Sequence, residues 1–163
     1  MLLGLLALNT ALAADDPTWT VTVDPLTFAL GYAHVQVERR LGSQWSLYAG
    51  PHARLFDGLL TEGREPFLGF GGEVGLRFFP WADAPRGGWV LGRQVLARLN
   101  TTDGSAPAEL GGYTSVLLGG TGIVNNWLVL SGGAGFNFLY YDIGDYGVGG
   151  PFPALHTNVG VAF

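Results

Sequence analysis

The sequence predicts an all-β fold, a closed antiparallel barrel of eight strands, and three observations support that prediction. Segments of about ten residues recur in which apolar side chains alternate with small or polar ones, which is the period of a strand. Glycine (27 residues) and aromatic residues (13%) are abundant, which favours closely packed strands over helices. After the N-terminal segment, the chain has no apolar run of about twenty residues that would form a membrane helix. With 163 residues, it is sized for one domain.

The first residues form a separate segment. The run Leu2–Ala14 is mostly apolar but too short to cross a bilayer as a helix, and Ala11-Leu12-Ala13 is typical of a signal-peptidase site. We therefore expect residues 1–13 to be a secretory signal peptide and residues 14–163 to form the barrel domain. The segment lacks the usual positive charges, so a buried N-terminal strand or helix is the alternative.

The stretch Thr18–Leu41 is expected to supply the first two strands, because membrane barrels of this kind have an even strand number. Its apolar alternation changes parity between Leu30 and Val35, which indicates a turn near Gly31 or a bulge. Six further strands are predicted: Gln44–Phe56, Phe67–Phe79, Gly88–Leu99, Glu109–Gly120, Asn126–Leu139 and Phe152–Phe163.

The predicted connections alternate in length, as in barrels with short turns at one end and longer loops at the other. The short turns are Leu41–Ser43, Pro80–Gly87 and Thr121–Asn125. The longer loops are Asp57–Pro66, Asn100–Ala108 and Tyr140–Gly150. Aromatic residues fall near both ends, a pattern typical of the girdles at membrane interfaces. They are Trp19, Trp45, Trp81, Trp89 and Trp127 near the turns, and Tyr140, Tyr141 and Tyr146 near the loops.

The composition of the polar face indicates which side of the sheet is inside. In Phe67–Phe79, a row of large apolar residues opposes a row of glycines that carries only Glu73 and Arg77 as charges. A water-facing surface would be about a quarter or more charged. We therefore predict that the polar face lines the lumen and the apolar face meets lipid, which makes the barrel transmembrane. Gly88–Leu99 fits poorly, because Arg93 shares a side with Trp89.

The lumen is predicted to hold a polar network whose charges are paired, because enclosed charge is otherwise too costly. Its predicted members are Glu38, Arg40, Arg54, Glu73, Arg77, His34, His52, His156 and Asn158. Eight strands enclose little more than their own side chains, so we expect this network to plug the lumen. A gated channel is the alternative function.

Composition also limits the possible ligands. The chain has no cysteine, and its three histidines have no tight spacing, so we predict no metal and no cofactor. All eight basic residues are arginine, the formal net charge is −5 and no basic patch occurs, so nucleic acid is not an expected partner.

Phe152–Phe163 alternates regularly and stops on a phenylalanine, and in this it resembles the closing strand of bacterial outer-membrane barrels. The whole predicted domain is similar to the small eight-stranded barrels of the OmpA-like and OmpX-like group and to uncharacterised relatives of similar length. The segment from Asp24-Pro25-Leu26 through Val37–Leu41, together with Trp45-Ser46-Leu47, resembles those uncharacterised relatives most. The resemblance implies a bacterial outer-membrane location and contact with outer-membrane lipids and lipopolysaccharide. It also implies delivery to the barrel-assembly machinery through the C-terminal strand.

Three hypotheses of function follow. The leading one is a non-enzymatic integral outer-membrane barrel with a plugged lumen and a structural or surface-interaction role. The second is a lipid-modifying enzyme, because His156-Thr157-Asn158 resembles the His-x-Ser-Asn element of outer-membrane lipid A deacylases. Asn158 stands where that element has its serine, so no catalytic residue is assigned. The third is a soluble ligand-binding β-barrel, which shows the same alternation with its apolar face inward.

Overall fold

The structure is a computed structural model in which residues 16–54, 67–104, 107–143 and 146–163 are described. The described chain forms β1 (Trp19–Val23), α1 (Pro25–Ala29), β2 (Tyr32–Arg40), β3 (Trp45–Arg54), β4 (Phe67–Phe78), β5 (Gly87–Thr101), β6 (Glu109–Val124), β7 (Leu128–Ile143) and β8 (Tyr146–Ala162). Each strand pairs antiparallel with the next, and β1 also pairs with β8. The predicted closed barrel of eight antiparallel strands is confirmed. The predicted signal peptide and the predicted loop Asp57–Pro66 lie outside the described residues.

The connection from β1 to β2 contains the short helix α1, which the sequence did not predict. Asp24 caps it, because its Oδ1 accepts hydrogen bonds from the backbone N–H groups of Leu26 (3.0 Å) and Thr27 (3.1 Å). Pro25 occupies the first turn, where its missing N–H costs nothing. Gly31 then turns the chain into β2 with a φ of 92°, which only glycine adopts readily. The change of parity between Leu30 and Val35 is thus a helix followed by a turn.

The two ends of the barrel differ. The terminal end carries the start of β1, the end of β8 and three turns, and the far end carries the remaining connections. The predicted turn Thr121–Asn125 is too early, because β6 continues to Val124 and residues 125–127 turn instead. The predicted loop Tyr140–Gly150 is wrong for most of its length, because β7 runs to Ile143 and β8 begins at Tyr146. Ladder pairing between β7 and β8 extends these strands beyond the point where the apolar alternation fades.

The barrel wall is uneven in height. β8 has 17 residues, whereas β1 has 5. Pairing of β1 with β8 runs only from Thr20 opposite Ala162 to Val23 opposite Val159. The rest of β8 has no β1 partner, and α1 lies beside it, with Leu26 N donating to Thr157 Oγ1 at 3.2 Å. The wall between β8 and β2 is therefore built partly by a helix.

The side chains face as predicted along most strands. Phe70 and Phe136 are exposed outside the barrel, while Glu73 and Arg77 are buried inside it. β5 corrects the prediction of a purely polar lumen, because Trp89 and its apolar neighbours of the same parity point inward together with Arg93. Buried apolar residues of the described chain form two clusters in the interior: Tyr48, Phe79, Ala84, Trp89, Leu91, Leu117 and Ala154; and Phe67, Ala97 and Leu99, with Tyr141 packed against them.

The aromatic residues divide between the two faces. Trp19, Trp45, Trp81 and Trp127 are exposed at the terminal end. Trp89 is 2% exposed and lies in the lumen, so its assignment to the outer girdle is wrong. At the far end, Tyr140 is exposed, Tyr141 is half-buried in the interior, and the side chain of Tyr146 lies outside the described part of the structure.

Glycines in the wall make room for the large interior rings. A Cβ on Gly75 would stand 2.1 Å from the ring of Tyr48, and Cβ atoms on Gly119 and Gly133 would stand 2.4 Å and 2.5 Å from the ring of Trp89. Distances this short are forbidden between carbon atoms. Strands rich in glycine therefore let a narrow barrel hold a tyrosine and a tryptophan side by side.

Gly75→Ala is expected to destabilise the fold by about 1–3 kcal/mol, because the added methyl group collides with the buried Tyr48 ring. Gly92→Ala is the matched control, since Gly92 lies opposite Leu76 on the neighbouring strand and its Cβ would have nothing within 4 Å. Denaturant unfolding followed by circular dichroism measures both. Equal stabilities of the two variants would contradict the packing role.

Candidate functional site: the charged barrel interior

The lumen contains buried acidic and basic side chains. Within the described residues, three carboxylates and three guanidiniums are each 5% exposed or less: Asp24, Glu38, Glu73, Arg54, Arg77 and Arg93. Buried charges are tolerated where each finds an opposite charge and hydrogen bonds. Two pairs of opposite charge meet the first of these conditions: Glu38 with Arg77, and Glu73 with Arg93.

Glu38 and Arg77 form a direct ion pair in the interior. Their side chains, from β2 and β4, meet across β3 through Arg77 Nη1 and Glu38 Oε2. The hydroxyl of Ser46 donates to Glu38 Oε1, and Thr20 Oγ1 lies 3.3 Å from Glu38 Oε2. The carboxylate is thus held by partners from β1, β3 and β4. Such charge-assisted hydrogen bonds are about twice as strong as neutral ones.

His156 joins both halves of the network. Its Nε2 lies 3.0 Å from Arg77 Nη2, and its Nδ1 lies 3.5 Å from Arg93 Nη1 and 3.6 Å from Asp24 Oδ2. The ring also packs edge-on against Trp89. Side chains from β4, β5 and the β1–β2 connection therefore converge on this fully buried imidazole of β8.

Glu73, His34 and His52 form a second chain of contacts. Glu73 Oε1 lies 3.3 Å from His34 Nδ1, and His34 Nε2 lies 3.0 Å from His52 Nδ1. A hydrogen bond between two imidazoles needs one ring nitrogen without its proton, so at least one of these histidines is neutral. Arg93 Nη1, 4.0 Å from Glu73 Oε2, connects this chain to the first.

The remaining predicted members lie around these chains. Asn158 donates to Gln36 Oε1 at 2.6 Å, which ties β8 to β2 below the unpaired part of the wall. Arg54 is buried with its guanidinium 3.6 Å from the ring centre of Phe67. Arg40 lies apart from the network: it is half-buried at the end of β2, and its Nε donates to the carbonyl of Gly42 at 3.1 Å.

Sequence reasoning missed two central members, Asp24 and Arg93. The sequence Asp24-Pro25 is a signal for the start of a helix, so the capping role of Asp24 could have been predicted. The neighbouring sequence does not indicate that its carboxylate also contacts β8. There it accepts from Thr157 Oγ1 at 2.7 Å. Arg93 was visible only as an arginine on an apolar side, and its contacts with Ser115 and His156 depend on strands far away in sequence.

A cavity of about 600 Å³ occupies the far half of the barrel. Its lining includes inward residues of the lumen, such as Arg93 and Tyr113, and also Leu155, which is 61% exposed on the outer side of β8. Leu26 and Leu30, at the two ends of the α1 segment, complete the wall. The cavity thus reaches from the centre of the barrel to the unpaired part of β8.

The hydroxyl groups of the lumen serve the network. Ser46 donates to Glu38, Ser115 donates to Asn137 Oδ1 at 2.6 Å, and Ser131 donates to the carbonyl of Gly120 at 3.2 Å.

Across the described ranges, no group of three or more acidic or histidine side chains has the arrangement of a metal site. No helix in the described part of the chain is long and apolar enough to cross a membrane.

No family model, curated protein or solved structure matches the chain. The observed barrel is compatible with the resemblance to small eight-stranded barrels. The outer-membrane location stays a prediction.

Glu38→Gln is expected to lower the free energy of unfolding by about 3–5 kcal/mol, because Arg77 would keep its buried charge without a counter-ion. Glu109→Gln, at an exposed position on β6, is the control and should leave stability unchanged. Denaturant titration of both variants, together with Arg77→Gln and the double variant, gives the coupling between the two residues. Additive losses in this cycle would argue against a direct pair.

Proposed function

We propose that this chain is an integral outer-membrane barrel whose lumen is closed by its own side chains and whose role is structural or surface-interacting. The observation that carries the proposal is the distribution of polarity: acidic and basic side chains are buried inside, and large apolar side chains are exposed outside. Such an arrangement is unfavourable in water and favourable in a bilayer.

The exposed apolar surface surrounds the barrel. Every strand contributes at least one large apolar side chain that is more than a third exposed: Val23, Val37, Leu47, Phe70, Leu96, Leu118, Phe136 and Leu155 are examples. Soluble monomers rarely expose a continuous apolar surface of this kind. The shorter strands β2, β3 and β4, with 9, 10 and 12 residues, match the roughly 9–11 residues that cross a bilayer.

Polar groups within the outer surface satisfy one another. Thr114 Oγ1 donates to Gln94 Oε1 at 2.6 Å, and Gln94 Nε2 contacts the hydroxyl of Tyr140 and the carbonyl of Val95. In hydrocarbon, a polar group without a partner costs several kcal/mol. Mutual hydrogen bonding on the outer face therefore supports a lipid environment.

The exposed tryptophans at the terminal end suit one membrane interface. Trp19, Trp45, Trp81 and Trp127 all lie there, and the guanidinium of Arg39 sits 5.2 Å from the centre of the Trp19 ring. Indole rings favour the boundary between acyl chains and head groups, and cationic side chains beside them reach the aqueous side. The terminal end would then lie at the membrane surface.

The interior supports a plug rather than a channel. The Glu38–Arg77 pair is flanked by the rings of Tyr48 and Trp89, each centred 5.1 Å from the guanidinium carbon. Together with the surrounding apolar cluster, these groups fill the terminal half of the lumen. An ion entering from the far end would have to displace a buried ion pair.

Of the alternatives, the deacylase-like enzyme has less support, because both nitrogens of His156 face arginine side chains. A soluble ligand-binding barrel would require the exposed apolar surface to meet water, which is unfavourable in proportion to its area.

Leu118→Arg tests lipid exposure. At a position 64% exposed near the middle of the apolar surface, arginine is expected to cost about 2–4 kcal/mol for folding in lipid vesicles. Leu110→Arg, on the same strand and 69% exposed near the far end, should cost only about 0–1 kcal/mol. In a water-soluble barrel both changes would be neutral, so equal stability in vesicles would contradict the proposal.

Cell fractionation tests location directly. The full-length chain expressed in a Gram-negative host is expected in the outer-membrane pellet and should need detergent for extraction. The extracted protein should migrate faster unboiled than boiled on a gel, because a closed barrel stays compact in detergent. Recovery in the aqueous fraction without detergent would overturn the membrane proposal.

A further inference from the structure

The part of β8 that does not pair with β1 exposes fewer backbone N–H groups than an ordinary strand edge. Phe163 N donates to Trp19 O at 2.9 Å, and Thr157 N points to Asp24 Oδ2, so the N–H groups of odd-numbered residues face the β1 side. Pro151 and Pro153 have the same parity in the stretch that β1 does not reach. Because proline has no backbone N–H, these two positions leave no unsatisfied hydrogen-bond donor on the edge. The edge can therefore border hydrocarbon at lower cost.

The cavity behind this edge changes in character with depth. Towards the outside, its wall is apolar: Leu26 and Leu30 come from one side of the opening, and Phe152 and Leu155 from the other. Towards the barrel centre, it is lined by polar groups that include Arg93, His34 and Asn137. A molecule with an apolar tail and a polar head matches this gradient.

The charge of the lining has one sign. Arg54 and Arg93 both line the cavity, whereas no carboxylate is among its described lining residues. Glu73, whose Oε2 lies 4.0 Å from Arg93 Nη1, is not among these lining residues. A head group entering the cavity would meet guanidinium groups first. An anionic head is favoured, because guanidinium groups bind carboxylates by charge-assisted hydrogen bonds.

We propose that the cavity is a binding site for a single-chain anionic amphiphile, with a long-chain fatty acid as the ligand class. The carboxylate lies near Arg54 and Arg93, and the acyl tail leaves the barrel sideways between α1 and the proline-containing edge of β8. The cavity volume of about 600 Å³ lies within the 300–1,000 Å³ that is common for small-molecule sites. The sideways exit rests on the proposed membrane location, whereas the head-group site does not.

The direct test measures fatty acid binding by the intact barrel. The chain, folded into phosphatidylcholine nanodiscs, is titrated with carboxyl-labelled ¹³C-palmitate, and empty nanodiscs correct for partition into lipid. The expected result is one saturable site per chain. Methyl palmitate, with the same tail and no charge, should bind at least about tenfold more weakly. Equal binding of the acid and the ester would overturn the anionic head-group site.

Arg54→Gln tests the guanidinium and should weaken palmitate binding by at least about tenfold. The matched control is Arg98→Gln, because Arg98 is exposed on the outer face of β5 and does not line the cavity. It should bind palmitate like the unaltered chain. An unchanged affinity in Arg54→Gln, or an equal loss in both variants, would overturn the assignment of the head-group site.

Ala154→Phe tests the cavity itself, because a ring at this inward position would occupy the space behind Phe152 and Leu155. It should abolish saturable binding, whereas Ala134→Phe, on the outer face of β7, should retain it. Unimpaired binding by a correctly folded Ala154→Phe would place the site elsewhere. Should that variant fail to fold, the Arg54→Gln and methyl ester comparisons decide the question.

The two proposals fail separately. Absence of saturable palmitate binding by the nanodisc-embedded barrel would overturn the fatty acid site and leave the membrane role standing. Recovery of the chain as a water-soluble protein would overturn the membrane role, and titration with palmitate in buffer would still test the cavity.

Discussion

The need to pair buried charge governs this barrel. Six acidic and basic side chains, from β2, β3, β4, β5 and the β1–β2 connection, are buried in the lumen, and Glu38–Arg77 and Glu73–Arg93 form contacts of opposite charge between strands. Removing one member of either pair would leave its partner's charge buried without a counter-ion. The network therefore links strand closure to electrostatics: only the closed sheet brings Asp24, near β1, to His156 of β8.

The short first strand has an effect out of proportion to its length. Because β1 ends at Val23, the chain must bridge the remaining height of the wall with α1, and Asp24 satisfies both the helix and Thr157 at the point where the ladder stops. One carboxylate thus ends the β1–β8 pairing, caps the helix and contributes to the interior network. The cavity meets the outer surface of the barrel beside this same junction.

Particular residues show how far sequence reasoning reached. Glu73 and Arg77 alternate with Phe70, Val74 and Leu76, and the structure keeps that separation of faces. The prediction for Trp89 was wrong. Its place near a strand end indicated the aromatic girdle on the outer surface, but its side chain lies in the lumen. The error has a physical cause: Gly119 and Gly133, on other strands, create the space for that ring, and no local pattern in β5 reveals it.

The sequence by itself determined the strand architecture and the face of most side chains, because a strand has period two and leaves each side chain only two directions. Tertiary structure alone decided which charges meet, that β1 stops short and that a cavity opens beside β8. Those features depend on the register between strands distant in the chain and on closure of the sheet. Contacts between Arg77 and Glu38, or between Asp24 and His156, exist only once the barrel is closed.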